Sequence, residues 1–246
     1  MNKDWLNSIY LKNSSEKKQL EQWCENIGYE RYEQIFSIVS SNSSQKVEFS
    51  ILMAVAKYNF VLSDMLYSMI KFVELRFRGF LINEYGDLTL TRKEYLYQLS
   101  EGLGNGQYLD CSTYYDNKLP DKTNLKTYLS ASSLETVLRV LFLLPDEKLK
   151  RFDANPAILK MNLLEIRKIR NSVAHGDVLL GGKYDLKKTF ISLLKYLPTK
   201  ETKEKRVKEL EELNNRLFDY NQDSISDLIK NIVIILQEDD LKEIGL

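Results

Sequence analysis

Between Lys46 and Gly86 the chain reads KVEFSILMAVAKYNFVLSDMLYSMIKFVELRFRGFLINEYG, and this stretch decides the fold class. Leu52, Val55, Leu62, Leu66, Met69, Val73, Phe77 and Phe80 recur three or four residues apart, with Asn59 as a polar exception in the same register. Such spacing lines one face of an α-helix, so a long helix is predicted from Lys46 to about Tyr85, closed by Gly86. An apolar stripe of that length reads as the central helix of a core.

Working outward, helices are predicted at about 15–25 and 29–40, and Ser40 to Ser44 reads as a polar linker. Downstream, helices are expected at about 91–101, 126–144, 157–175, 184–197, 201–219 and 223–238. Breaks fall near Pro145, Pro156, Gly181-Gly182, Pro198 and Asn221. Only four prolines and few alternating β-branched runs interrupt this pattern, which makes the fold all-α. Residues 1–45 read as N-terminal helices packed on the core, and 46–246 as the main helical domain. The stretch 102–124 holds turn residues with Tyr108, Tyr114 and Tyr115 and reads as a long surface loop. Its tyrosines either pack on the loop itself or stack bases.

Thirty-five basic side chains balance thirty-five acidic ones, so no global field steers the protein onto a polyanion, and any nucleic-acid contact must use a local patch. Cys24 and Cys111 form neither a Cys-x-x-C pair nor a Cys/His cluster, which argues against a disulfide framework or a zinc site and fits a reducing cytosol. The first residues carry no signal-peptide core. The apolar runs Val137 to Leu144 and Ile232 to Leu236 are short for a membrane span, so a soluble, cytoplasmic protein without membrane contact is expected. Gly102-Leu103-Gly104-Asn105-Gly106 lacks the Lys-Ser/Thr of a phosphate-binding loop and follows no strand. Lys200 to Lys208 reads as a solvated, mixed-charge helix face.

Chemistry concentrates in the helix that opens at Pro156. Leu159, Leu163, Ile166, Ile169 and Val173 make its core stripe, Arg170 lies on the flank, and Asn171 and His175 lie one turn apart toward the opposite side. Gly176 should end the helix in a left-handed cap, leaving the only histidine near the surface, where an imidazole suits general acid–base work. Lys160, Arg167 and Lys168 supply a local phosphate-binding surface. A plainer reading makes His175 a helix-capping residue and Arg170 a buried arginine paired with a carboxylate. Within a regular helix Arg170 and His175 point about 140° apart, so one chain alone makes a poor paired site.

The segment Arg170-Asn171-Ser172-Val173-Ala174-His175 resembles the R-N-x-x-A-H signature of the HEPN superfamily, an R-x(4–6)-H pattern at a helix end. Upstream, Tyr58 to Arg78 resembles the corresponding helix of Abi-like abortive-infection proteins, with Val73, Glu74, Phe77 and Arg78 standing where that family has I-E-x-x-L-R. The resemblance covers roughly residues 46–180. The family's histidine-histidine continuation is absent, because Gly176 and Asp177 follow His175. The resemblance implies a HEPN-type helical bundle with additional helices at both ends. It also implies a metal-independent endoribonuclease, needing no cofactor, that acts as a toxin in antiphage defence. Arg170, Asn171 and His175 would be catalytic, paired across a homodimer on an RNA substrate, and Glu74 and Arg78 supporting. An antitoxin protein or regulatory RNA would hold it silent. Glu74 and Arg78 are either a surface ion pair or a device in which Glu74 orients Arg170 or Arg78. A non-catalytic HEPN-type module binding RNA, a nucleotide or a protein, and a purely structural helical protein, stay open beside the enzyme.

Overall fold

The computed structural model describes residues 4–41, 46–91, 122–130, 132–218 and 231–246. The predicted helix at about 91–101 beyond its first residue, the tyrosine-bearing loop as far as residue 121 and the first half of the helix expected at 223–238 lie outside these residues; residues 122–124, expected in the loop, form a strand. What is described is predominantly α-helical, with two small two-stranded sheets. The chain divides into two compact units, Met1–Ser68 with Ile169–Leu246, and Met69–Lys168; the expected boundary near residue 45 falls inside the first.

In the first unit, α1 (Ser14–Ile27) starts where the Asn13 side chain accepts hydrogen bonds from the amides of Ser15 and Glu16, both at 3.0 Å. α2 (Tyr29–Ser40) follows Gly28 directly and buries Tyr32, Ile35 and Val39. Strands β1 (Ile9–Tyr10) and β2 (Val47–Glu48) pair in parallel, with Ile9 opposite Val47 and both buried. α3 (Phe49–Tyr85) is the long predicted helix, and its first part buries Leu52, Val55, Asn59, Leu62 and Leu66. Among the described helices it alone is long and apolar enough to cross a bilayer, with an 18-residue window of mean hydropathy 1.3. Of that window 56% is buried inside the protein, as suits a core helix.

The Ile169–Leu246 part of this unit carries the end of the motif helix, then α8 (Leu186–Tyr196), α9 (Lys200–Phe218) and α10 (Glu238–Glu243). Asn214 on α9 accepts from the Tyr58 hydroxyl at 2.9 Å and donates to the Ile234 carbonyl at 2.8 Å, so each buried polar group here has a partner. Lys187–Asp240 at 2.7 Å and Lys195–Glu243 at 2.6 Å tie α8 to α10. Residues 233–237 are not helical, so the helix expected at 223–238 does not extend through them; the chain instead starts α10 with a capping box between Gln237 and Asp240.

In the second unit the rest of α3 buries Met69, Val73, Phe77 and Phe80. Gly86 closes it by donating to the Ile82 carbonyl at 2.8 Å, and a Cβ there would stand 2.3 Å from that same oxygen. β3 (Thr89–Thr91) pairs antiparallel with β4 (Lys122–Asn124), with Leu90 and Thr123 in register along the backbone. Sequence reading expected one helix over 126–144; the structure has two, α4 (Leu125–Ser130) and α5 (Leu134–Phe142). Serines cause the break. Ser130 and Ser132 hydroxyls bond back to the carbonyls of Lys126 and Tyr128, and Ser133 then caps α5 through the Thr136 amide. α6 (Asp146–Leu149) follows Pro145, and Phe152 packs edge-on against Phe77 and Phe80. α7 (Pro156–His175) opens with Pro156 in its first turn, as predicted, and Asn155 accepting from the amides of Ala157 and Ile158. Leu159, Leu163 and Ile166 are buried beneath it.

Candidate active site

The last two turns of α7 belong to the first unit and hold Arg170, Asn171 and His175. Its end is a Schellman motif. The Gly176 amide bonds the Val173 carbonyl at 3.0 Å, the Asp177 amide bonds the Ser172 carbonyl at 2.9 Å, and Gly176 has φ +69°, the left-handed cap expected there. Two further contacts hold this turn. The Ser172 hydroxyl is hydrogen-bonded to the Tyr184 hydroxyl, and the buried Asn59 side chain accepts from the Leu179 amide at 2.9 Å. Asn59, the polar exception on the α3 stripe, thus satisfies an amide of the chain leaving the motif helix.

Ile169 is buried, Arg170 and Val173 are half-buried, and Asn171 and His175 are exposed. Asn171 accepts from Arg170 Nη1 at 3.3 Å; among the described residues it makes no hydrogen bond to His175, one turn further on. The His175 side chain has no hydrogen-bond partner among the described residues, and Arg170 has no carboxylate partner among them. The plainer reading of Arg170 as a paired, buried cation therefore finds no counterpart in the described residues.

A residue that sequence reading missed completes this end of the helix. Arg31, from α2, donates through Nη2 to the His175 carbonyl at 2.9 Å. Its guanidinium also fills the space above Gly176, where a Cβ would stand 2.3 Å from Nη2 and 2.7 Å from Cζ. The backbone at the end of α7 is therefore capped by a side chain from outside the helix, and it is the His175 carbonyl that is capped, while its ring caps nothing among the described residues.

The other predicted residues lie in the second unit. Glu74 binds Arg78, whose Nη2 also donates to the Ser132 carbonyl at 2.9 Å; both side chains are less than one fifth exposed, so this is no open-surface pair. Of the two arginines proposed for Glu74 to orient, Arg78 is the one it holds. The three cations assigned to RNA each meet a carboxylate: Lys160 with Asp146 at 3.2 Å, Arg167 with Glu135 at 3.3 Å and Lys168 with Glu165 at 2.7 Å. Glu135 also holds Arg139 at 2.8 Å. Among the described residues no three His, Cys, Asp or Glu side chains gather as a metal site would need. Compared with known proteins, the chain matches no family model, no curated protein and no solved structure.

Proposed function

We propose that this protein is a HEPN-type, metal-independent endoribonuclease, a cytoplasmic toxin of bacterial abortive-infection defence that works as a homodimer under the control of an antitoxin protein or regulatory RNA. The observation that carries the reading is the state of the last two turns of α7. An exposed imidazole stands one turn after Asn171, and Asn171 holds an arginine; among the described residues the imidazole has no side-chain partner and the arginine no carboxylate, and the backbone is fixed by the Schellman turn and by Arg31.

Cleavage of RNA by its own 2′-hydroxyl forms a 2′-oxygen–phosphorus bond and breaks the bond to the 5′-oxygen, leaving a 2′,3′-cyclic phosphate and a 5′-hydroxyl. One group must take the 2′ proton, another must give a proton to the departing oxygen, and a cation must stabilise the charged phosphorane between them. With one histidine per chain, both proton transfers are filled when two His175 rings face the substrate from two chains. Arg170 supplies charge to the phosphorane, and Asn171 holds Arg170 in place.

A second reading is a non-catalytic HEPN-type module that binds RNA, a nucleotide or a protein; the ion pairing of Lys160, Arg167 and Lys168 favours its nucleotide- or protein-binding forms, because it leaves fewer free cations for a long polyanion. One experiment separates the two: wild type, His175→Ala and Arg170→Ala are incubated with RNA in EDTA and product ends are mapped. The enzyme reading expects cyclic-phosphate ends from wild type and a loss of at least ~100-fold in His175→Ala. Cleavage that persists in folded His175→Ala, or that requires added metal, refutes it.

A further inference from the structure

Three cations that the sequence assigned to phosphate are held by carboxylates, whereas Arg31 meets none among the described residues. Among the described residues its one hydrogen-bond partner is the His175 carbonyl, and it is half-buried, with its terminal nitrogens against Gly176. A guanidinium has five N–H donors, so four stay available after that bond. The electrostatics of the place make this consequential. A helix carboxyl end presents unsatisfied carbonyls and the negative pole of the helix dipole, which repel an anion. Arg31 sets a full positive charge against that pole at the residue bearing the imidazole, and the nearby Asp177 carboxylate lies 4.0 Å from Lys183 Nζ.

The geometry points to Arg31, with His175, as a binding site for a single phosphate group, the guanidinium gripping two phosphate oxygens while the imidazole of the residue it caps faces the same group. The phosphate comes either from an RNA backbone or from a free phosphate or nucleotide. Only the first source rests on the ribonuclease reading. Arg31 thereby acts as an anion-binding residue contributed by an element outside the motif, and Gly176 is required because any side chain there would occupy the guanidinium's place.

The single histidine makes the test direct, since its imidazole proton gives one NMR signal. Wild type, Arg31→Gln and Arg31→Lys are titrated first with inorganic phosphate and then with a short RNA. The site predicts that phosphate moves the His175 signal in wild type, that Arg31→Gln weakens this response about tenfold or more, and that Arg31→Lys restores part of it. For RNA, Arg31→Gln lowers affinity and reduces the salt dependence of binding by somewhat less than one ion released per chain. A His175 signal insensitive to phosphate in wild type overturns the site. So does a response unchanged in Arg31→Gln while thermal stability falls, which would make Arg31 a helix cap alone. Phosphate binding through Arg31 in a protein that cleaves no RNA retains the site and refutes the ribonuclease; His175-dependent cleavage with an Arg31-independent phosphate response does the reverse.

Discussion

Replacing Gly176 by alanine perturbs the end of α7 in two ways whose costs can be separated. The backbone there has φ +69°, a conformation that costs a residue with a Cβ about 1–2 kcal/mol. The new carbon also stands 2.3 Å from Arg31 Nη2, so the guanidinium must move aside and its bond to the His175 carbonyl is lost. That bond is reached by solvent, which sets its net contribution near ~1 kcal/mol and the whole substitution at about 2–3 kcal/mol. Arg31→Ala alone removes only the bond, ~1 kcal/mol. In the double variant the bond is lost once and the alanine meets no guanidinium, so the total stays at about 2–3 kcal/mol, leaving ~1 kcal/mol of coupling where independent sites agree within ~0.5. Urea unfolding of the four proteins at one protein concentration measures this directly. Thermal melts provide a check, each kcal/mol moving the midpoint by about 2–4 °C at this chain length. Additive effects would show that Arg31 does not occupy the space above Gly176.

Asn59→Leu keeps the branched outline of the buried side chain but strands the Leu179 amide, and should lower stability by about 1–3 kcal/mol; an unchanged urea midpoint would mean that water or another group takes over the bond. Arg78→Ala leaves Glu74 and the Ser132 carbonyl without their donor, and a loss of about 1–3 kcal/mol in thermal melts is expected, whereas under ~0.5 would return the pair to the rank of a surface ion pair. Burial pushes the Tyr58 hydroxyl from its ordinary value of 10.0 up to about 12. The folded state thus favours the neutral phenol, so this contribution is fully present below pH 10 and is lost as pH rises from 10 through about 12. Tyr58→Phe should therefore flatten the stability–pH curve in that window by up to one proton, and an unaltered slope there would refute the linkage.

What the sequence made legible was local. The α3 stripe could be read because three- and four-residue spacing persists from Leu52 to Phe80, and every residue of it, Asn59 included, is buried. Gly176 was legible as a cap because a periodic run stopped at a glycine. The serines at 130, 132 and 133 were not read as a break, since their hydroxyls compete with the helix only through bonds that composition does not reveal. The apolar character of α3 as a whole was also missed, because charges such as Lys57, Asp64 and Lys71 interrupt its runs while the average stays high. Arg31 could not be found in the motif's neighbourhood, as its partner lies 144 residues away. The carboxylates that hold Lys160 and Arg167 are likewise distant in sequence, at Asp146 and Glu135. Charge patches read along one helix therefore overstate how much charge is free.

The separation between Arg31 and His175 also sets an order of events during synthesis. A ribosome delivers α1, α2 and the start of α3 first, then the whole of the second unit, and only afterwards the turn that Arg31 caps. The first unit closes on itself across that long intervening segment, which is the slow class of contact in folding and follows domain-wise folding of what has already emerged. A nascent chain can therefore carry Arg31, Asn59 and Glu74 while the turn bearing His175 has yet to be made. The contact between Arg31 and the end of α7 thus forms only after the whole second unit has been made, with α8 to α10 still to follow.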